Sequence, residues 1–109
     1  MDVYVRELAP VKDHSQFYVN ETLINAFKNY TTQVISRYVN KPNIFSWYVS
    51  TKPSLSPLTR IFREIANDPR CNSTLPNSPT CATTTVTQWH AVIADHIKSV
   101  DPNHLVSSG

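Results

Sequence analysis

Asn67, Asp68 and Pro69 stand in a row, and Glu64 precedes Asp68 by four positions. A carboxyl can give a proton to a leaving oxygen while a neighbouring amide holds a hydroxyl, so this triplet at a strand exit suits the cleavage of a glycosidic bond. Hydrolysis with retention takes a second carboxyl about 5 to 5.5 Å from the first, acting as nucleophile. By itself an Asp-Pro pair is also an ordinary turn former. Its surroundings decide between the two readings.

The elements that would hold the triplet can be read from period and punctuation. Residues 1–20 mix polarity without a clean period and read as a strand stub followed by a loop. From Glu21, Leu23, Phe27, Tyr30, Val34 and Tyr38 recur at three and four, with Ile24 and Ile35 beside them, which predicts a helix with one apolar face. Asn20 or Thr22 can cap its start, and Lys41-Pro42 ends it. Asn43 to Trp47 is a short apolar run of the kind a buried parallel strand shows. A second helix is predicted from Thr84 to Ser99. Its stripe is Val86, Trp89, Ile93 and Ile97 with Val92 and Val100 alongside, and the threonines are its caps. Trp89, on that stripe, reads as core. Asp101-Pro102-Asn103 stops this helix, and His104 to Ser108 reads as the next strand. Helix, strand, long loop, helix, strand is the order of an α/β fold with a parallel sheet.

Composition narrows the class further. Ten basic residues against eight acidic give a net charge of +2, too small and dispersed to argue for nucleic acid or a membrane surface. No apolar run is long enough to span a bilayer, and Met1 to Arg6 is not a signal peptide. Three Asn-X-Ser/Thr acceptors begin at Asn20, Asn29 and Asn72, which fits a secreted glycoprotein. Cys71 and Cys81 bracket a polar loop, either as a disulfide worth roughly 2 to 3 kcal/mol or as two free thiols. The four histidines do not fall at ligand spacing with these cysteines, so no metal is expected. No cofactor is expected either.

The run Glu64-Ile65-Ala66-Asn67-Asp68-Pro69-Arg70-Cys71 resembles the Trp-Glu-Leu-Ala-Asn-Glu-Pro-Arg-Cys signature of fungal endo-β-1,4-mannanases, in family 5 of the glycoside hydrolases. Met1 to Val5 and His14 to Tyr18 look like the family's loop after the third strand and its lead-in to the third helix. Cys71, Cys81, Thr83 to Thr87 through Trp89, and Ile97 to Val106 follow the family order. The resemblance implies a piece of a (β/α)8 TIM barrel, about helix 3, strand 4, helix 4 and strand 5. Such a barrel needs about 250 residues, and this chain has 109, so marginal stability is expected.

The resemblance also implies a secreted enzyme, monomeric when complete, that takes a β-mannan or related plant-wall glycan and hydrolyses it with retention. It puts Asp68 at the proton-donor position, where the family has Glu, and Asn67 at the site that binds the sugar 2-hydroxyl. Phe17, Tyr18 and Trp47 become candidate substrate contacts. The family's nucleophile is a Glu that would lie beyond Gly109. Asp68 is shorter than Glu by one methylene, which also fits a relative that binds mannan or glucan without cutting it.

One stretch departs from the pattern. The Trp expected directly before Glu64 is found sixteen residues earlier, as Trp47. Residues 48–63 hold three basic side chains and no acid, and their removal takes the charge from 10 minus 8 to 7 minus 8. Removal also joins Phe45-Ser46-Trp47 to Glu64-Ile65-Ala66-Asn67 and restores the motif. The expectation is a retained intron of sixteen codons, since Trp-Tyr-Val, Leu-Thr and Phe-Arg can encode a donor, a branch point and an acceptor. The alternative is a surface loop, because long insertions cost little in closure entropy.

Overall fold

The computed structural model describes residues 2–8, 16–49 and 79–108. Among these described residues the elements in order are α1 (Asp2–Leu8), α2 (Gln16–Val19), α3 (Glu21–Ser36), β1 (Ser46–Val49), α4 (Pro79–Val100) and β2 (Leu105–Ser108). β1 and β2 pair in parallel, Ser46 with Leu105, Trp47 with Val106, Tyr48 with Ser107 and Val49 with Ser108. Parallel neighbours need a crossover, and α4 lies in it. α4 packs on both strands and on α3, so the molecule is a helical layer against a two-stranded sheet.

α3 begins where the side-chain oxygen of Asn20 accepts the amide of Thr22 at 2.9 Å, filling one of the orphan donors of a helix start. It ends at Ser36, well before Pro42. The amides of Arg37 and Tyr38 turn back to the carbonyls of Val34 and Ile35, so a local tightening of the last turn, rather than the proline, stops the helix. Leu23 and Ile35 are buried, with Ile24 and Phe27 packed against the core, whereas Tyr30 and Tyr38 of the expected stripe are exposed. The buried face is therefore narrower than the periodicity suggested.

α4 starts five residues earlier than expected, at Pro79. Proline suits a first helical position, where its missing N–H would have had no partner. The threonines from Thr83 onward lie inside the helix rather than capping it. Trp89, Ile93 and Ile97 are the buried stripe, with Val86 and Val100 half-buried and Val92 facing water. β1 is displaced toward the C-terminus relative to expectation. The amide of Ile44 bonds the carbonyl of Lys41 at 3.1 Å, and this turn uses up Asn43 and Ile44. Phe45 is left 80% exposed.

The N-terminal expectation is corrected outright. Residues 2–8 and 16–19 are helical where a strand stub and loop were expected. Val3 and Val5 favour a strand on propensity alone, but tertiary packing overrides it. Tyr4 meets Phe17 and Phe27 edge-on at 6.1 and 6.2 Å between ring centroids, which holds α1 against α2 and α3. Phe17 and Phe27 in turn lie 5.4 and 5.5 Å from Trp89 of α4. Such pairs add about 0.5 to 1.5 kcal/mol each beyond area burial. The same aromatic cluster joins α1, α2, α3 and α4. A smaller polar contact joins α3 to α4: Nε2 of His96 lies 2.8 Å from the hydroxyl of Thr32 and 3.1 Å from the carbonyl of Lys28.

Candidate active site

In a parallel α/β sheet, chemistry gathers beyond the C-terminal ends of the strands and stability at the opposite end. β1 ends at Val49, opposite Ser108 of β2. Asn67, Asp68 and Cys71, with the acceptor Asn72, lie outside the described residues, as does all of 48–63 except Tyr48 and Val49. The rest of the expected set can be placed.

Trp47 is the second residue of β1, so it belongs to the opposite end of the strand pair. Its Nε1 donates to Oδ2 of Asp101 at 2.7 Å. The same oxygen lies 2.6 Å from Nδ1 of His104, and Oδ1 accepts the amides of Asn103 and His104 at 3.0 and 3.2 Å. Nε2 of His104 lies 3.2 Å from the carbonyl of Lys41, and Nζ of Lys98 donates to the carbonyls of Pro102 and His104, both at 2.9 Å. Burial pushes the Asp101 carboxyl up, but the donors of Trp47, His104 and Asn103 outweigh it and bring it down to about 2. The side chain stays an anion that only accepts. This cluster ties the turn after α3, β1, the end of α4 and the start of β2 into one joint. Its position marks it as a fold-holding element rather than a reaction centre.

The joint was missed in the sequence, where Asp101 read only as a helix stop and His104 as the first strand residue. A faint signal was present: an Asp three residues before a His across Pro-Asn can bond forward into its own turn. The partner Trp47 is fifty-four positions away, and spacing alone does not reveal it.

Phe17 and Tyr18, expected as substrate contacts, lie in the aromatic core. Each is only 4% exposed. Tyr18 stacks edge-on to Trp89 at 5.5 Å, and burial pushes its phenol up to about 12. With α2 helical, both rings turn into the aromatic core. Trp89, read as core, is core. Asn20 caps α3, Asn29 is exposed on the same helix, and Cys81 sits half-buried on α4 against the core. Among the described residues no three His, Cys, Asp or Glu side chains converge as metal ligands would. Nor is any helix among them long and apolar enough to cross a membrane.

Fold and strand-end geometry thus define an α/β unit built on two parallel strands with a helical crossover. No protein-family model matches the chain. Its relatives are nonetheless consistent: the chain is 32% identical to mannan endo-1,4-beta-mannosidase A of Podospora anserina over 109 residues, all of this chain and 22% of the relative. It is 29% identical to mannan endo-1,4-beta-mannosidase F of Aspergillus clavatus, again over its whole length and 19% of the relative. Against mannan endo-1,4-beta-mannosidase A of Hypocrea jecorina the identity is 31% over 93 residues, 85% of this chain and 16% of the relative. Along its full extent the chain is similar to fungal mannan endo-1,4-beta-mannosidases, as its motif suggested, and it spans about a fifth of their length.

Proposed function

We propose that this chain is part of an endo-β-1,4-mannanase-like glycoside hydrolase that, when complete, cleaves β-1,4-mannosidic bonds with retention on a (β/α)8 barrel. The observation that carries the reading is whole-length similarity to fungal mannan endo-1,4-beta-mannosidases in a chain that also contains Asn67-Asp68-Pro69-Arg70-Cys71. In this reading Asp68 gives its proton to the leaving oxygen, Asn67 binds the sugar 2-hydroxyl, and the nucleophilic carboxylate comes from outside these 109 residues. The substrate is a β-mannan or related plant-wall polysaccharide, and the complete protein is secreted and monomeric. Asn20, Asn29 and Asn72 are its glycan acceptors. Cys71 pairs with Cys81, which is supported by the absence of a free thiol at Cys81, the one cysteine among the described residues.

A second reading follows from Asp68 itself. Loss of one methylene withdraws the carboxyl by roughly 1.5 Å, and misplacement by about 1 Å can cost on the order of a hundredfold in rate. The protein would then bind mannan without cutting it.

A chimera separates the two: the chain, without residues 48–63, replaces the matching stretch of the Podospora anserina relative, with Asp68 or with Asp68→Glu. The enzyme reading expects weak mannan hydrolysis with Asp68 and a rise on the order of a hundredfold with Asp68→Glu. Retained mannan binding with no cleavage in either chimera establishes the binder. Loss of both binding and cleavage in a folded chimera sinks the glycosidase assignment.

A further inference from the structure

Asn20 stands between α2 and α3 with an extended backbone, φ −84° and ψ 117°. Its main chain is fixed on both sides: the amide donates to the carbonyl of Gln16 at 2.8 Å, and the carbonyl accepts the amide of Ile24 at 3.0 Å. The side chain is divided. Its Oδ1 accepts the amide of Thr22, while Nδ2 makes no hydrogen bond among the described residues. Thr22 enters that bond through its backbone N–H, so its hydroxyl takes no part in the cap. Asn20 is half-buried, and Glu21 and Thr22 beside it are exposed. The acceptor motif at Asn29 is arranged differently, for Asn29 lies inside α3 and the hydroxyl of Thr31 donates to the carbonyl of Lys28 at 2.8 Å. Acceptor motifs belong to surface loops. Asn20, just outside the helix, is the better placed of the two.

We infer that Asn20 carries an N-linked glycan on Nδ2 and caps α3 with Oδ1 at the same time. In the transfer, Nδ2 attacks the anomeric carbon of an oligosaccharide borne on a lipid diphosphate. The carbon–nitrogen bond forms, the bond from that carbon to the diphosphate oxygen breaks and its electron pair leaves with the diphosphate, and one Nδ2 proton passes to a base of the transferase. Nothing is oxidised or reduced. The product is still a planar amide, so Oδ1 remains an acceptor and its bond to Thr22 needs no rearrangement. One side chain thereby sets both the first turn of α3 and the point where a glycan leaves the surface. The inference rests on the secreted-glycoprotein reading and adds to it what the glycan's anchor does in the fold.

The test carries the full 109-residue chain into a eukaryotic secretory host behind a cleavable leader, beside Thr22→Val and Asn20→Ala. Mass analysis of the peptide that holds Asn20 reads the glycan, and hydrogen exchange of the residue 22 amide reads the cap. The parent is expected to be glycosylated at Asn20 with that amide protected. Thr22→Val should lose the glycan and keep the protection, because the cap uses only the backbone of residue 22. Asn20→Ala should lose both, with the amide about fivefold less protected. An unmodified Asn20 in the secreted parent overturns the inference. So does a glycosylated parent whose Thr22 amide is no better protected than in Asn20→Ala, or a Thr22→Val chain that loses its protection together with its glycan. Failure of the complete protein to be secreted by its own cells is a separate result that sinks the secreted reading, since the leader-borne chain reads Asn20 regardless.

Discussion

The carboxylate of Asp101 is 0% exposed yet accepts hydrogen bonds from two side chains and two backbone amides. An unpartnered anion there would be prohibitive, so the donors keep the group charged and the group keeps the donors in place. The folded-state value of about 2 lies below the ordinary 3.8. A depressed carboxyl stabilises the fold fully above its unfolded value, and that contribution is lost as pH falls through the folded one. The Tm should therefore fall between about pH 4 and pH 2 in acid melts of the chain, and Asp101→Asn should flatten the profile over that window. A profile unchanged by the substitution would show that the joint does not govern acid stability. At this scale the sequence was least legible: Asp101, His104 and Trp47 acquire a shared purpose only when the strands pair, and the place of Phe17 and Tyr18 in the core shows only once α2 has formed.

α3 and α4 were foreseeable because their apolar spacing is long and regular, and the two strands because short apolar runs sit between turn formers. Their limits were not, since they depend on contacts that period does not encode. The turn at Lys41 to Ile44 displaces β1, and Pro79 lets α4 begin early. Asn20 was one of two candidate caps, and its side chain is the one that accepts from Thr22. Replacing an Asn cap by Ala costs about 1 kcal/mol. Asn20→Ala should therefore lower the Tm by about 4 to 8 °C, whereas Asn20→Asp should leave it unchanged or raised, because a carboxylate suits the positive end of a helix. Equal losses for both would mean the cap is not what holds the start of α3.

As a whole, the molecule has one sound interior and one unfinished boundary. Its helices share a continuous aromatic core, while its two-stranded sheet leaves Phe45, Tyr48 and Leu105 exposed and has, among the described residues, no further strand on either edge. Because the chain spans about a fifth of its relatives, the 109 residues alone should release no reducing ends from mannan, as a colorimetric assay would register; activity would show that the second carboxylate is within this chain after all. The two tryptophans divide along the same line. Trp89 is ringed by Phe17, Tyr18 and Phe27, and Trp47 points its indole N–H at Asp101. The protein thus carries one tryptophan in each layer, so an early loosening of the strands with the helices intact would shift the emission of Trp47 and leave that of Trp89 in place.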